Sequence, residues 1–215
     1  ATGWVQDNSG NWYYCDQSDG HAYTNAWKQL VPSDDMHISD DDSSMTLADG
    51  SYWFYFQSTG KLAMANDGNY KEFVINGNRY AFDQSGRMQT GWVKLSDTNP
   101  VIAGYKYYND QSGIGSFGAA HTGWLSVAPP EDAGLGSDVV WYYFDTKGVP
   151  YYGSDVSTND NDETLLAKLK RITKNGKTYT FLFNQYGNPV YGLRKVQRSD
   201  GTLTSMYFGT KEQSC

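Results

Sequence analysis

Three indole pairs punctuate the 215-residue chain: Trp4 with Trp12, Trp27 with Trp53, and Trp124 with Trp141. Trp92 forms a fourth pair with Tyr107 or Tyr105. Paired ring faces support two kinds of chemistry. A cation with no proton to donate is held by ring quadrupoles, each contact contributing roughly 0.5–2 kcal/mol. The apolar C–H face of a sugar stacks on the same flat surface while neighbouring polar groups bond its hydroxyls. Asp83, Gln84, Asn109, Asp110 and Gln111 stand beside rings and could serve that purpose. Both readings stand beside a third, in which the indoles only pack.

Other chemistry is thinly represented. His21, His37 and His121 are scattered, and no histidine pair has metal-ligand spacing. No nucleophile elbow occurs, and no catalytic residue is assigned. The acidic stretches Ser33–Asp42 and Ser154–Glu163 hold oxygen ligands, and Asp155, Asn159, Asn161 and Glu163 approach a calcium loop. They lack its turn glycine, so solvated loops are expected and no metal. "GIGSFG" (Gly113–Gly118) fits a dinucleotide fingerprint by letter only. The fingerprint needs a helix directly afterwards, whereas "AAHTGW" follows, so a glycine loop and no cofactor are expected. Cys15 and Cys215 lie at opposite ends and are expected to be free thiols.

The elements that position the rings recur. "WYYCDQSDG" (Trp12–Gly20), "WFYFQSTG" (Trp53–Gly60), "RYAFDQSG" (Arg79–Gly86) and "YKYYNDQSG" (Tyr105–Gly113) share one plan. So do "WYYFDTKG" (Trp141–Gly148), "YTFLFNQYG" (Tyr179–Gly187) and a truncated "MYFGT" (Met206–Thr210), about seven units in all. Gly-Trp or Ala-Trp opens four units, at Trp4, Trp27, Trp92 and Trp124; Asn66, Ser154 and Leu193 stand at the corresponding points of the others. Each unit reads as a β-hairpin. Asn76-Gly77 and Asn175-Gly176 predict two-residue type I′ turns, which need positive φ at both positions, and Asp200-Gly201 predicts the same. A lone hairpin is marginal in water, but stacked hairpins hide their rings against the next unit. "DETLLAKLKR" (Asp162–Arg171) is the exception: Asp162 as cap and Leu165, Leu166 and Leu169 on one face predict a short helix.

Composition agrees. Aromatic residues make up 16% of the chain and glycines number 23, which favours strands and tight turns over helices. Mean hydropathy is −0.65, and no apolar run reaches the roughly 18 residues of a membrane span. A net charge of −7 argues against nucleic acid, whose phosphates require lysine and arginine.

"GRMQTGWVKL" and "VWYYFDTKG" give the pattern its closest likeness. The repeats resemble the choline-binding or cell-wall-binding repeats of secreted bacterial surface proteins. They are also similar to glucan-binding repeats and to toxin receptor-binding repeats. The resemblance implies an all-β, irregular solenoid of stacked β-hairpins with long inserted loops. It implies a single array over 1–215 whose first and last units are truncated, in a segment of a longer protein. It implies a non-catalytic module, secreted or at the bacterial cell surface, that attaches its parent to choline-bearing wall teichoic acid or to an α-glucan-type polysaccharide. Any catalytic domain would lie elsewhere in that parent. Binding would fall to Trp4, Trp12, Trp27, Trp53, Trp92, Tyr107, Trp124 and Trp141, between successive hairpins. The alternatives are a structural spacer or protein-contact scaffold with packing-only aromatics, and toxin-like binding to a glycan receptor.

Overall fold

The computed structural model describes residues 1–36, 47, 49–153, 164–166, 169–197 and 200–210. It is all-β, built from paired antiparallel hairpins, and it divides into two compact units. The first unit comprises Ala1–Leu95 and Tyr107–His121; the second comprises Ser96–Lys106 and Thr122–Cys215.

In the first unit β1 (Gly3–Gln6) pairs with β2 (Trp12–Cys15), β3 (Ala26–Leu30) with β4 (Tyr52–Phe56), and β5 (Tyr70–Ile75) with β6 (Asn78–Asp83). β7 (Gly91–Lys94) pairs with β8 (Tyr105–Tyr108), whose last two residues belong to this unit. In the second unit β9 (Gly123–Val127) pairs with β10 (Val140–Phe144), and β12 (Leu169–Lys174) with β13 (Lys177–Leu182). There β14 (Leu193–Gln197) lies between an antiparallel β15 (Leu203–Tyr207) and a parallel β11 (Thr164–Leu166).

Why the chain turns back after each aromatic strand is visible in the residues that follow it. The carboxylate of Asp16 accepts the backbone N–H group of Ser18, and that of Asp83 those of Ser85 and Arg87. Asp145 holds Lys147 and Val149 alike, and the Asn184 amide oxygen holds Tyr186 and Asn188. Such Asx turns compete well with strand continuation. The chain then runs back as a third short segment, bridging Cys15 to Ala22, Phe56 to Leu62, Phe82 to Met88, Tyr108 to Ala120, Phe144 to Pro150 and Phe183 to Pro189.

That third segment joins one hairpin to the one before it. In the first unit the N–H of Leu62 donates to the Trp12 carbonyl at 2.8 Å, Met88 to Trp53 at 2.9 Å and Ala120 to Arg79 at 2.8 Å. In the second, Asn188 Nδ2 donates to the Trp141 carbonyl at 3.3 Å. All four acceptors occupy the same position, three residues before the strand residue that bridges to the third segment. Gly86 at the turn has φ +78, and a Cβ there would lie 2.5 Å from a Leu62 methyl, so the glycine serves both the turn and the stacking. Burial follows the stacking. One cluster joins Trp12, Phe54, Phe56 and Leu62; the next joins Ala63, Tyr80, Phe82 and Met88. Each hairpin thus completes the core of its neighbour, as in solenoid arrays.

Asn76 and Gly77 have φ of 50 and 83, and Asn175 and Gly176 have φ of 52 and 75, as type I′ turns require. Asp200-Gly201 instead sits in a longer loop, because β14 and β15 close on the pair Gln197 and Leu203. The helix expected over 162–171 does not form among the described residues: Thr164–Leu166 and Leu169–Lys174 are strands. The Asn175-Gly176 turn folds Leu169–Lys174 onto Lys177–Leu182, and six cross-strand pairs outweigh a weak helical periodicity. The calcium-like residues 155–163, His37 and Cys215 lie outside the described residues, whereas Cys15 is a free thiol. The Gly113–Gly118 stretch holds a 3-10 turn at Ser112–Ile114 and is closed by Asn109, whose amide donates to the Ser116 carbonyl.

Candidate aromatic binding sites

Hairpin register decides which rings meet. Trp4 lies opposite Tyr14, Trp27 opposite Tyr55, and Trp124 opposite Tyr143. The second tryptophan of each pair stands two residues earlier on the partner strand, a diagonal neighbour on the same face. Ring centroids are accordingly 6.3 Å apart for Trp4 and Trp12, 6.4 Å for Trp27 and Trp53, and 6.3 Å for Trp124 and Trp141, all edge to face. Trp92 and Tyr107 are 5.4 Å apart. Their match is to Trp4 and Tyr14, at 5.2 Å, so Tyr107 occupies the Tyr14 position and not that of Trp12.

Trp12 is 8% exposed and Tyr107 5%, so both serve mainly as packing; the other six residues are half-buried. The Tyr107 hydroxyl donates to Asp110 at 2.8 Å, and burial followed by this carboxylate raises its pKa.

A four-ring box closes around the first indole. Trp4 meets Tyr14 at 5.2 Å; Tyr14 stacks on Tyr23 at 5.8 Å; Tyr23 meets Phe56 of the next hairpin at 6.2 Å; Phe56 returns to Trp4 at 5.9 Å. The indole is fixed by its N–H, which donates to the Val31 carbonyl at 2.8 Å. The second unit repeats the arrangement with Trp124, Tyr143, Tyr151 and Phe183, at 5.1, 5.0, 5.9 and 5.9 Å around the circuit. In both boxes a lysine of the following hairpin reaches a tyrosine face: Lys28 Nζ is 3.8 Å from the Tyr23 centroid and Lys170 Nζ 4.4 Å from that of Tyr151. The Asp16 carboxylate accepting its hydroxyl pushes Tyr23 up to about 12, with burial adding to the effect, and burial raises Tyr151.

The box around Trp27 is built differently. Tyr55, Tyr80 and Phe82 lie 5.0, 4.8 and 5.7 Å from the indole, but the third segment brings Ala63 where Tyr23 and Tyr151 stand elsewhere. Phe73 faces Tyr80 across β5 and β6, at the place held by Lys28 and Lys170, and it meets Phe82 at 5.7 Å. A ring from the next hairpin has taken over the role of a ring from the third segment.

In the third hairpin the pair itself is replaced. Register puts Glu72 opposite Ala81, where Trp4 faces Tyr14, so Glu72 and not Asn66 occupies the tryptophan position. Arg79 stands in the Trp12 position, and its guanidinium pairs with Glu72 at 2.8 Å. Leu169 opposite Leu182 and Leu193 opposite Tyr207 fill the corresponding places in the second unit. Ser154, expected there from spacing, lies outside the described residues. Spacing misses Tyr14, Tyr23, Tyr55, Tyr143 and Tyr151. The alternation of the aromatic strand points to three of them, since a ring two places after the first tryptophan shares its face. Tyr23 and Tyr151 require knowledge of the third segment.

The cell wall binding repeat family model matches residues 2–21 and 140–149, which hold the first half of one box and the Trp141–Tyr143 strand of the other. No curated protein matches the chain. Among solved structures it is similar to CbpF in complex with ipratropium, at 22% identity over 95% of this chain and 54% of that one, with a TM-score of 0.47. It is similar to choline binding protein F from Streptococcus pneumoniae in the presence of a peptidoglycan analogue (19%, 95%, 52% and 0.43). A third is the modular autolysin LytC from Streptococcus pneumoniae (17%, 94%, 37% and 0.40). The chain spans about half the length of the first two and just over a third of the last. Residues 2–21 and 140–149 thus match the cell wall binding repeat, and the other Gly-Trp hairpins of the chain share their plan.

Proposed function

We propose that this chain is a non-catalytic binding module whose aromatic boxes grip quaternary ammonium groups, choline on wall teichoic acid being the best fit. The observation that carries this is the position of Lys28 and Lys170. In both boxes the protein's own ammonium already rests on a tyrosine face, at 3.8 and 4.4 Å, so the ring walls accept a cation. Ring faces hold a cation through their quadrupole and need no proton from it, which suits a group that has none to give. Repetition of a modest site on one chain gains avidity against a polymer with repeated epitopes. Trp4, Trp27, Trp53, Trp124 and Trp141 are the assigned contacts among the predicted residues, with Trp92 in a partial version. Trp12 and Tyr107 support them from behind. The module works outside the cell, at the bacterial surface or secreted, and any catalytic domain belongs to other parts of its parent protein.

Titration of tryptophan fluorescence with choline, and separately with maltose and dextran oligomers, tests this reading. A saturable response to choline alone is expected. A response to the sugars alone would replace the ammonium box by a saccharide platform, and silence to both would leave a packing scaffold.

A further inference from the structure

A second concavity in the first unit lies apart from the indole pairs. Its volume is about 560 Å³, and it runs between the turn of the first hairpin, the turn of the second and strand β5. Drug-sized ligands fill about 300–1,000 Å³, so this groove has room for one or two sugar or polyol units.

Its lining reverses the charge of the molecule. The chain carries 24 acidic against 17 basic residues, yet the groove is lined by Lys61 and Lys71 and by no carboxylate among the described residues. Of the carboxylates next to lining residues in sequence, Glu72 is paired with Arg79 and Asp83 with Arg87, while Asp67 is exposed. Amides supply the remaining polarity. Gln57 Nε2 donates to the Leu62 carbonyl at 3.3 Å and Gln84 Nε2 to that of Gly68 at 2.6 Å, which ties down each amide nitrogen and leaves a carbonyl oxygen to accept from hydroxyls. Half-buried Phe73 and Met64 offer an apolar floor, and Lys71 Nζ lies 5.2 Å from the Phe73 ring centroid. Two ammonium groups, amide acceptors and an apolar floor match an anion attached to a hydroxyl-bearing carbon skeleton.

We propose that this groove is a binding site for a phosphorylated sugar or polyol, Lys61 and Lys71 holding the phosphate and the amides of Gln57 and Gln84 its hydroxyls. The site shares Phe73 with the Trp27 box and is otherwise built from residues outside the aromatic boxes. It would serve a free sugar phosphate or a phosphodiester segment of a polymer alike.

Calorimetric titration with glucose 6-phosphate, glucose and inorganic phosphate tests the assignment on the whole chain. Glucose 6-phosphate should bind at least tenfold more tightly than either of the others, and binding should weaken as salt is added. Lys61→Met and Lys71→Met should each lower its affinity about three- to tenfold, and the double variant should abolish it. Both lysines are exposed, so these variants should fold, which far-UV circular dichroism checks. The choline response of Lys61→Met should be unchanged, which keeps failure of the groove distinct from failure of the boxes; Lys71→Met is left out of that control because Lys71 rests on Phe73. Comparable affinity for glucose and glucose 6-phosphate, or wild-type affinity in the double variant, would overturn the proposal. Equal binding of inorganic phosphate would overturn the hydroxyl contacts. For free sugar phosphate versus polymer, glycerol 3-phosphate oligomers binding more tightly than the monomer would indicate a polymer segment, and equal affinity a free metabolite.

Discussion

The first and third hairpins share a pairing register but fill the same diagonal with different chemistry. In the first, Trp4 and Trp12 meet edge to face; in the third, Glu72 and Arg79 form an ion pair that is part-exposed, and the Tyr108 hydroxyl donates to the same Glu72 at 2.8 Å. The backbone is indifferent to the exchange, because the Arg79 carbonyl accepts from Ala120 as the Trp12 carbonyl accepts from Leu62. Stacking therefore rests on main-chain bonds and the buried Phe56 and Phe82 row, while the diagonal pair is left to vary. Where it is aromatic a box can form, and where it is ionic it cannot.

The comparison can be broken at its aromatic end first. Trp124→Ala removes rings from four neighbours and should destabilise the second unit by about 3–5 kcal/mol in urea unfolding, besides abolishing its share of the choline signal. A loss below 1 kcal/mol would mean that the boxes contribute little to folding. At the ionic end, Glu72→Ala strands the buried Tyr108 hydroxyl and should cost about 1–3 kcal/mol, whereas Glu72→Gln retains an acceptor and should cost less than about 1 kcal/mol. Equal losses would shift the cause from Tyr108 to charge.

Smaller effects sharpen it. Lys28→Met clears the Tyr23 face and should tighten choline binding at the first box about two- to fivefold, measured by fluorescence titration. Unchanged or weaker binding would show that the lysine does not compete. The smallest effect concerns acid. Asn11, through its side chain and then its backbone N–H, draws Asp7 down to about 2, and the Ser18 hydroxyl foremost lowers Asp16. Carboxyls depressed in the folded state bind protons more readily when unfolded, so their contribution, intact above the ordinary 3.8, is lost as pH falls toward the folded value. Protection of the Ser9 and Asn11 amides, relative to their intrinsic exchange rates, should fall between about pH 4 and pH 2. Protection already lost above about pH 5 would point to another group.

Much of the scaffold is legible without coordinates. The Asp-x-x-Gly turns and the two Asn-Gly hairpins announce themselves because each needs a side-chain acceptor or a positive φ that few residues provide. The three Trp–Trp pairs are legible as well, since strand periodicity places both indoles on one face. Asn66 was misplaced because counting from the turn glycine ignores how far the strands extend; pairing of Glu72 with Ala81 corrects it. Leu165, Leu166 and Leu169 misled in the other direction, because a short apolar run does not distinguish a helix face from a strand awaiting a partner.

The chain alone determined that rings would be repeated at turn-delimited intervals, because turn chemistry and strand alternation are local. Only the tertiary structure decided which rings close a box. Tyr23, Tyr151 and Phe73 reach their places through third segments and following hairpins, and Lys28 and Lys170 approach from a neighbour's strand. Contacts between successive units depend on how one hairpin stacks on the next, and no spacing within a single repeat encodes that.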